Sequence, residues 1–377
     1  MTRIILIRNA YAHDFGGGER FPVFLAESLG LEGHEAVIVS RNQRLLNLAG
    51  TKRIHTIRGW WWSAQNWSGW RTALFPIYAI WQFALYCWYR QLFHRLQPDV
   101  VHIQSKDDFI AATYAAKHTG CKIIWTDHAD LKHIWINITA PLKNPIGKWV
   151  YRAAAHTSAI TVVSGSELKE VNAHLPESSP IAGKLTVVYN GCADVYANYP
   201  HPPTANVTYV IANRLVTDKG IGEAITAFKQ LNEKHPDTSL IIAGDGPERE
   251  TFAAQASNHP SIALIGYQSD PYGTIAKADV FLQPTYHEGF SIVLVEASML
   301  QKAIIATAVG GNVEIIRDNE TGLLVPARDA SALAGAMEKL YADENLRTQL
   351  AQKARAQYEE KFVFDKIVKE GFIPLYD

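Results

Sequence analysis

The chain has 377 residues, of which 47% are hydrophobic and 19% charged, with a formal net charge of −1 at pH 7. This composition indicates a soluble globular protein, and the length exceeds what one hydrophobic core usually serves, so we expect two domains. The three cysteines are odd in number and widely spaced, so they imply neither a disulfide framework nor a metal cage, and they favour a reducing, cytoplasmic setting. The apolar run before Arg8 is too short for a signal peptide.

Charge and tryptophan are unevenly distributed along the chain. Residues 1–190 carry 20 Lys and Arg against 13 Asp and Glu, a balance of +7, whereas residues 191–377 carry 16 against 24, a balance of −8. Seven of the ten tryptophans lie between Trp60 and Trp88. A basic, tryptophan-rich first half and an acidic second half predict different partners for the two halves.

The N-terminal stretch has the pattern of a strand, a glycine loop, a helix and a second strand. Buried strands are predicted at residues 4–7 and 36–39, with a helix at residues 21–31. The loop contains Gly16 and Gly17, whose missing side chains let a ligand approach the backbone closely. This order of elements is typical of a doubly wound α/β domain, although a plain turn is the commoner use of a glycine loop.

An aromatic segment, Gly59 to Trp70, leads into a run without charged residues from Ala73 to Tyr89. This run is shorter than the about 20 apolar residues of a membrane span and contains Pro76 and Gln82, which favours a buried or interfacial helix. Two hypotheses stay open for Trp60 to Trp70: the segment docks on a membrane surface, helped by nearby arginines, or it forms an aromatic core or acceptor pocket.

A histidine follows the strand predicted at residues 122–126. His128 lies at the carboxyl end of that strand, where an imidazole can act on a proton or donate a hydrogen bond to an oxygen near a reacting centre. The alternative is an ordinary histidine in a surface loop. His133 lies nearby, but two histidines five residues apart on a loop without a cysteine are a poor metal-binding pattern.

The second half repeats the strand-loop-helix pattern after a proline-containing linker at residues 196–207. A strand is predicted at residues 208–212 and a helix from Ile221, with Arg214 and Lys219 in the loop between them. Two cations there can neutralise a diphosphate, and each charge-assisted hydrogen bond contributes roughly 1.5–3 kcal/mol. The alternative is a solvated pair of surface charges.

Residues 280–307 are the most informative stretch, because they predict a buried strand, a polar loop, a helix at residues 291–300 and another buried strand. The helix is apolar nearly all round, so the carboxylate of Glu296 needs a cation or a ligand as its partner. Glu288 lies in the loop, and the amides of residues 289–291 form an anion site at the helix N-terminus. A nucleotide sugar fits this combination; the alternative is a packed strand, loop and helix with one neutralised glutamate.

Glu288 and Glu296 are separated by seven residues in HEGFSIVLVEA, which resembles the E-x7-E motif of glycosyltransferase family 4, retaining enzymes with the GT-B fold. Further matching stretches are GGGER, EGHEAVIV, IIWTDHAD, VVYNG, NRLVTDKG and GDGP. The chain departs from the family where Asn213 and Ser291 replace glycines, and where the aspartate after VVYNG is displaced to Asp194.

The resemblance implies an α/β GT-B fold, with two Rossmann-like domains facing across a cleft. We expect an N-terminal acceptor-binding domain at residues 1–195 and a C-terminal nucleotide-sugar-binding domain at residues 196–361. Residues 362–377 are expected to return and pack on the N-terminal domain.

The resemblance also implies roles for the site residues. The two cations and the helix amides hold the diphosphate, Glu296 accepts hydrogen bonds from the ribose, and Glu288 contacts the donor sugar. His128 and Gly17 complete the site from the first domain. The residues expected to bind the donor are Gly16, Gly17, Arg214, Lys219, Gly266, Tyr267, Glu288, Gly289, Phe290, Ser291, Ile292 and Glu296, and those expected to act in catalysis are His128, Arg214, Lys219 and Glu288.

The expected activity is that of a retaining hexosyltransferase that needs neither a metal nor another cofactor and moves a sugar from a nucleotide sugar to an acceptor hydroxyl. The expected acceptor is a lipid-linked or cell-envelope glycan, and the expected location is the cytoplasm or the inner membrane face, with no nucleic acid as partner. Two alternatives stay open: a GT-B-type sugar-nucleotide epimerase, and a non-catalytic, membrane-associated protein that binds nucleotide sugars.

Overall fold

The computed structural model describes residues 1–9, 17–60, 75–128, 145–175, 179–200, 206–256 and 259–377. The chain divides into two compact units. The first comprises Met1–Tyr189 together with Phe364–Asp377, and the second comprises Asn190–Val363. Of the residues singled out in the sequence, Gly16, His133 and residues 61–70 of the tryptophan-rich segment lie outside the described ranges.

The first unit is built on a parallel sheet of seven strands in the order β3-β2-β1-β4-β5-β6-β7. Short runs rich in valine and isoleucine form its central strands, as is typical of a parallel sheet covered on both faces. The strand order changes direction between β1 and β4, which is where open α/β sheets bind ligands. The strands are Arg3–Ile7 (β1), Glu35–Ser40 (β2), His55–Arg58 (β3), Val100–Ile103 (β4), Lys122–Asp127 (β5), Ala159–Val162 (β6) and Leu185–Val187 (β7).

Both faces of this sheet are covered. Ile5 and Ile7 of β1 belong to one hydrophobic core, whereas Ile4 and Leu6 belong to another, as the alternation of side chains along a strand requires. The helices of this unit that precede residue 190 are Gly17–Leu31, Gln43–Thr51, Phe75–Leu96, Phe109–Lys117, Pro145–Ala154 and Gly165–Ala173.

The uncharged run of the sequence forms most of the helix Phe75–Leu96. The side chain of Gln82 is buried and ties this helix to the next one: its amide nitrogen donates to the carbonyl oxygen of Asp107 at 3.0 Å, and its oxygen accepts from the amide of Ala111 at 3.1 Å. Among the described residues, no helix has the length and apolar character needed to cross a membrane.

The C-terminal segment returns to the first unit through Phe364–Ile367, the π-helical turn Val368–Phe372 and Ile373–Tyr376, which confirms the return implied by the family resemblance. Its apolar side chains complete the core that contains Ile4 and Leu6. The Tyr376 hydroxyl lies 2.7 Å from Nδ1 of His102, and burial lowers the pKa of His102 to about 3. The imidazole is therefore neutral within this core.

The second unit has a parallel sheet of six strands in the order β10-β9-β8-β11-β12-β13, which changes direction between β8 and β11. Two doubly wound α/β units confirm the expected fold class. The strands are Thr208–Ala212 (β8), Ser239–Ala243 (β9), Ile262–Gly266 (β10), Val280–Gln283 (β11), Ala303–Thr307 (β12) and Leu323–Val325 (β13). The helices are Ile221–Lys234, Arg249–Ala256, Pro271–Ile275, Ile292–Met299, Asn312–Ile315, Ala330–Ala342 and Glu344–Lys361.

Candidate functional site

Two loops meet where the second sheet changes direction, one after β8 and one after β11. The carbonyl oxygen of Asp218 accepts hydrogen bonds from the amide of Tyr286 at 2.8 Å and from the hydroxyl of Thr285 at 3.0 Å. Gly220 has a φ of +64°, and a Cβ at this position would overlap the carbonyl oxygen of Pro284. Only glycine allows both this backbone conformation and this close approach.

The meeting of the loops joins two residues that the sequence singled out separately. Nζ of Lys219 lies 2.7 Å from Oε2 of Glu288, and the two side chains are 23% and 17% exposed. A partly buried, charge-assisted hydrogen bond of this kind fixes both groups more firmly than a surface ion pair would. Arg214, in the same loop, is exposed.

Gln283, the last residue of β11, connects this ion pair to the following helix. Its buried side-chain amide donates to Glu288 Oε2 at 3.3 Å and to Ser291 Oγ at 3.1 Å, and its oxygen accepts from Asn213 at 2.7 Å. The sequence interpretation missed Gln283 and treated Asn213 only as a departure from a family glycine. The signal that could have identified Gln283 is its position as the one polar residue at the end of an otherwise apolar strand.

The N-terminus of the helix Ile292–Met299 is the third component of the site. The Ser291 hydroxyl bonds to Gln283 and makes no capping hydrogen bond to the helix. Because the first amides of a helix have no intrahelical acceptor, the helix start remains suited to an anion. The loop before it is held by Gly310, at a φ of +46°, where a Cβ would overlap the carbonyl oxygen of Glu288.

Glu296 differs from the sequence expectation. The helix was expected to be buried on every side, which would have left this carboxylate inside a core. Instead Leu294 and Val295 are buried, whereas Ile292, Val293 and Glu296 are partly exposed. The expectation of burial all round was therefore wrong, because two of the apolar residues lie on the open side of the helix. A partly exposed carboxylate keeps part of its hydration and remains accessible to hydroxyl groups.

Gly266 and Tyr267 lie farther along the same edge of the sheet, at the end of β10. Gly266 has a φ of +72°, and its carbonyl oxygen accepts from the amide of Gly244 at 2.8 Å. The Tyr267 side chain is exposed. Since β10 is separated from β8 by β9, these two residues are placed at a distance from the Lys219–Glu288 pair along the edge.

In the first unit, His128 follows β5 and is partly buried, with its ring in an edge-to-face contact with the Phe21 ring and the ring centres 5.3 Å apart. Burial lowers the pKa of His128 well below its usual value, and the positive charge of Arg8 and the neighbouring His102 lower it further. Its Nε2 atom has no hydrogen-bond partner among the described residues. A neutral imidazole with one unused nitrogen is suited to a substrate oxygen. Gly17, also expected in the site, begins the first helix of this unit.

A buried polar cluster lies where the first sheet changes direction. The Asp108 carboxylate accepts from Asn9 at 2.7 Å, Ser105 at 2.5 Å and Tyr89 at 2.8 Å, and burial raises the pKa of Asp108 to about 6. Gln104, at the end of β4, is buried, and neither polar atom of its side chain has a partner among the described residues. The sequence interpretation missed Gln104, although it stands directly after an apolar strand.

Two family models match the chain, one in each half. The model of Glycosyltransferase Family 4 matches residues 15–194, and the model of glycosyl transferases group 1 matches residues 199–357. The capsular polysaccharide biosynthesis glycosyltransferase CapM of Staphylococcus aureus is 34% identical over 178 residues, which are 46% of this chain and 47% of CapM. The match thus spans about half the length of that relative.

Solved structures match the chain over nearly its whole length. A glycosyltransferase from Rickettsia africae has a TM-score of 0.78 at 20% identity, covering 99% of this chain and 97% of its own. Anabaena HepE, solved in complex with UDP and glucose, has a TM-score of 0.77 at 17% identity, covering 100% of this chain and 99% of its own. The two doubly wound units therefore form a GT-B fold, and with both family models matching, the chain belongs to glycosyltransferase family 4.

Proposed function

We propose that the protein is a retaining, metal-independent hexosyltransferase that moves a sugar from a nucleotide-sugar donor to a hydroxyl group of a cell-envelope glycan. The observation that carries the proposal is the placing of Lys219 and Glu288, 2.7 Å apart, beside a helix N-terminus where the second sheet changes direction. Cation, carboxylate and helix start are three groups that a diphosphate-linked sugar would use together. CapM, a capsular polysaccharide transferase, and HepE, which holds UDP and glucose, support the choice of substrates.

The diphosphate leaves the donor sugar as the glycosidic bond breaks, and its growing negative charge is what the site must stabilise. Arg214, Lys219 and the amides of Phe290 and Ser291 supply positive charge and hydrogen-bond donors for it. Lys219 already holds Glu288, so a bound phosphate would share the ammonium group with that carboxylate. Because these groups provide the stabilisation, we propose that no divalent cation is required.

The carboxylates select the donor through its hydroxyl groups. Glu288 is held in one position by Lys219 and Gln283, which suits contact with the sugar. Glu296 is partly exposed and would accept hydrogen bonds from the ribose. We propose that Gly266 and Tyr267, farther along the edge, contact the base.

We propose that polar residues of the first unit form hydrogen bonds with the acceptor. The neutral imidazole of His128 can donate to or accept from a hydroxyl group at neutral pH. Gln104 has the same capacity through its buried amide. We propose that the acceptor is a lipid-linked glycan and that the enzyme works peripherally on the inner face of the membrane.

A thermal-shift panel of UDP, GDP, ADP, CMP and their hexose conjugates tests the donor site. A ligand at 100 times its Kd stabilises a protein by about 2.7 kcal/mol, which gives a measurable shift. We expect one nucleotide class to raise the unfolding temperature equally with and without EDTA. Arg214→Ala should abolish the shift, whereas Lys353→Ala, which removes an exposed cation from the same unit, should retain it.

Product analysis separates transfer from the alternatives. Proton NMR of the product of the selected donor should show the anomeric configuration of the donor retained in a new glycosidic bond. A product that is an epimer of the donor would point to a sugar-nucleotide epimerase, and binding without turnover would point to a binding protein. A panel without any nucleotide shift would overturn the transferase proposal itself.

A further inference from the structure

The helix Phe75–Leu96 has two faces of different character. Its inner face contributes Tyr78, Leu85 and Tyr89, among others, to the core of the first unit. None of its 22 residues is acidic. Since the inner face is packed against protein, only the outer face can meet another molecule.

The first half of the outer face exposes large apolar side chains. Ile77, Ile80 and Phe83 are 60%, 71% and 66% exposed, and the thiol-bearing Cys87 is also exposed. Residues three and four apart lie on one side of a helix, so these four side chains form a single stripe. Contiguous exposed apolar side chains mark an interaction site, because they would otherwise remain in contact with water.

The second half of the same face is basic. Arg90 is exposed and continues the stripe, three residues after Cys87. Arg95 is also exposed and, five full turns after Ile77, lies on the same side of the helix as Ile77. No carboxylate of this helix is available to neutralise them. A second copy of the chain docked here would bring more arginines and no acidic residue from this face, whereas an anionic lipid surface offers both an apolar layer and negative charge.

We propose that the outer face of the helix Phe75–Leu96, comprising Ile77, Ile80, Phe83, Cys87, Arg90 and Arg95, docks on an anionic lipid bilayer. The apolar half enters the boundary between headgroups and acyl chains, and the two arginines bind the headgroups. This proposal rests on the proposed function in one respect: docking on the bilayer would hold the enzyme beside a lipid-linked acceptor. It differs from the tryptophan-rich segment that the sequence suggested, since it consists only of residues of this helix.

Cys87 provides a direct probe of this contact. It is exposed, whereas Cys121 is partly buried and Cys192 is buried, so an environment-sensitive maleimide dye can be attached at Cys87 in the full chain. Vesicles of equal parts phosphatidylglycerol and phosphatidylcholine should shift the dye emission to the blue, and spin-labelled acyl chains should quench it. Pure phosphatidylcholine should bind more weakly, and high salt should weaken binding to the anionic vesicles. Cys87→Ser serves as the labelling control.

Variants of the two halves test which groups bind. Ile80→Glu combined with Phe83→Glu should reduce vesicle co-sedimentation at least tenfold, whereas Leu31→Glu, at an exposed leucine of the helix Gly17–Leu31, should leave it unchanged. Arg90→Gln and Arg95→Gln should each weaken binding to anionic vesicles about fivefold. Unfolding temperatures equal to that of the wild type would show that the variants are folded.

Three results would overturn the proposal. The first is a dye emission that vesicles leave unchanged, and the second is a loss of vesicle binding in Leu31→Glu equal to that in the double variant. The third is an emission shift that rises with protein concentration in the absence of lipid, which would indicate that a second copy of the chain covers this face. The nucleotide thermal shift does not involve this helix, so a failed vesicle test leaves the transferase proposal intact. Vesicle binding without a nucleotide shift would support the surface and contradict the transferase.

Discussion

Lys219 is the residue on which the proposed chemistry depends most, because it pairs with Glu288 and is the cation that we propose binds the diphosphate. Lys219→Ala would remove one charge-assisted hydrogen bond worth roughly 1.5–3 kcal/mol. We expect kcat/KM for the selected donor to fall roughly 10- to 100-fold, with initial rates of transfer as the measurement. Lys353→Ala is the matched control and should keep its full rate. Equal rates in the two variants would contradict the role of Lys219.

Replacing Gln104 with leucine is expected to lower kcat/KM without lowering the free energy of unfolding. The Gln104 amide has no partner within the part of the chain that the structure describes, and a buried amide without a partner costs free energy, so Gln104→Leu should leave the free energy of unfolding unchanged or raise it by about 1 kcal/mol. If the amide binds a substrate hydroxyl, kcat/KM should nevertheless fall at least tenfold. Denaturant unfolding and transfer rates, measured on the same preparation, decide the matter. A variant with unchanged transfer would remove Gln104 from the site.

Sequence reasoning singled out Lys219 and Glu288 but did not predict that the two side chains form an ion pair. Lys219 and Glu288 could be singled out because charges at strand ends are conspicuous in a linear chain. Gln283 could not be given its role, because its partner Asn213 is 70 positions away and the hydrogen bond depends on which strands are neighbours. The exposure of Glu296 was misjudged for a related reason: the apolar composition of an eight-residue helix does not reveal which side faces the core.

Among the elements, the strands were the best predicted. Val280–Gln283, Ala303–Thr307 and Thr208–Ala212 form as expected, because short apolar runs with polar or glycine residues at their ends have few other ways to be buried. The loop after β11 was predicted only as a polar connection. Its conformation depends on Gly220 and Gly310, which pack closely against the carbonyl oxygens of Pro284 and Glu288.

We expect alanine substitution at Gly310, which contacts this loop, and at Gly335, which does not, to change the unfolding free energy in opposite directions. Gly310→Ala would place a Cβ against the carbonyl oxygen of Glu288 in a left-handed backbone conformation, so the loop must shift. We expect a loss of more than about 1 kcal/mol in unfolding free energy and weaker donor binding. Gly335→Ala, in the helix Ala330–Ala342 with open space around the new methyl group, should raise stability by about 0.5–1 kcal/mol. Similar effects of the two changes on donor affinity would contradict the loop's role.

At the scale of the whole molecule, His128 makes stability depend on pH. Its pKa in the folded state lies well below the unfolded value of about 6.5, so the unfolded state binds more protons below that pH. Its contribution to stability is therefore complete above about pH 6.5 and is lost as the pH falls, by at most about 1.4 kcal/mol per pH unit. His128→Gln should flatten the curve of unfolding free energy against pH by that amount.

The comparison of wild type with His128→Gln isolates this effect. Asp108 acts in the opposite direction, because a pKa raised to about 6 lets the folded state bind a proton before the unfolded state does and so favours folding as the pH falls toward 4. His102, with its pKa near 3, acts in the same direction as His128. Both remain in the variant, so their contributions cancel in the difference. Parallel curves would show that His128 is not buried in its neutral form.

The division of the chain has a consequence for biosynthesis. The first unit is discontinuous in sequence, because its core includes Phe364, Phe372 and Tyr376 from the C-terminal segment. The second unit is one uninterrupted stretch, and a parallel β-bridge between the backbones of Cys192 and Val363 joins its two ends. A ribosome therefore delivers every residue of the second unit before it delivers the last part of the first. During translation the first unit therefore cannot complete its core until the whole second unit has been synthesised.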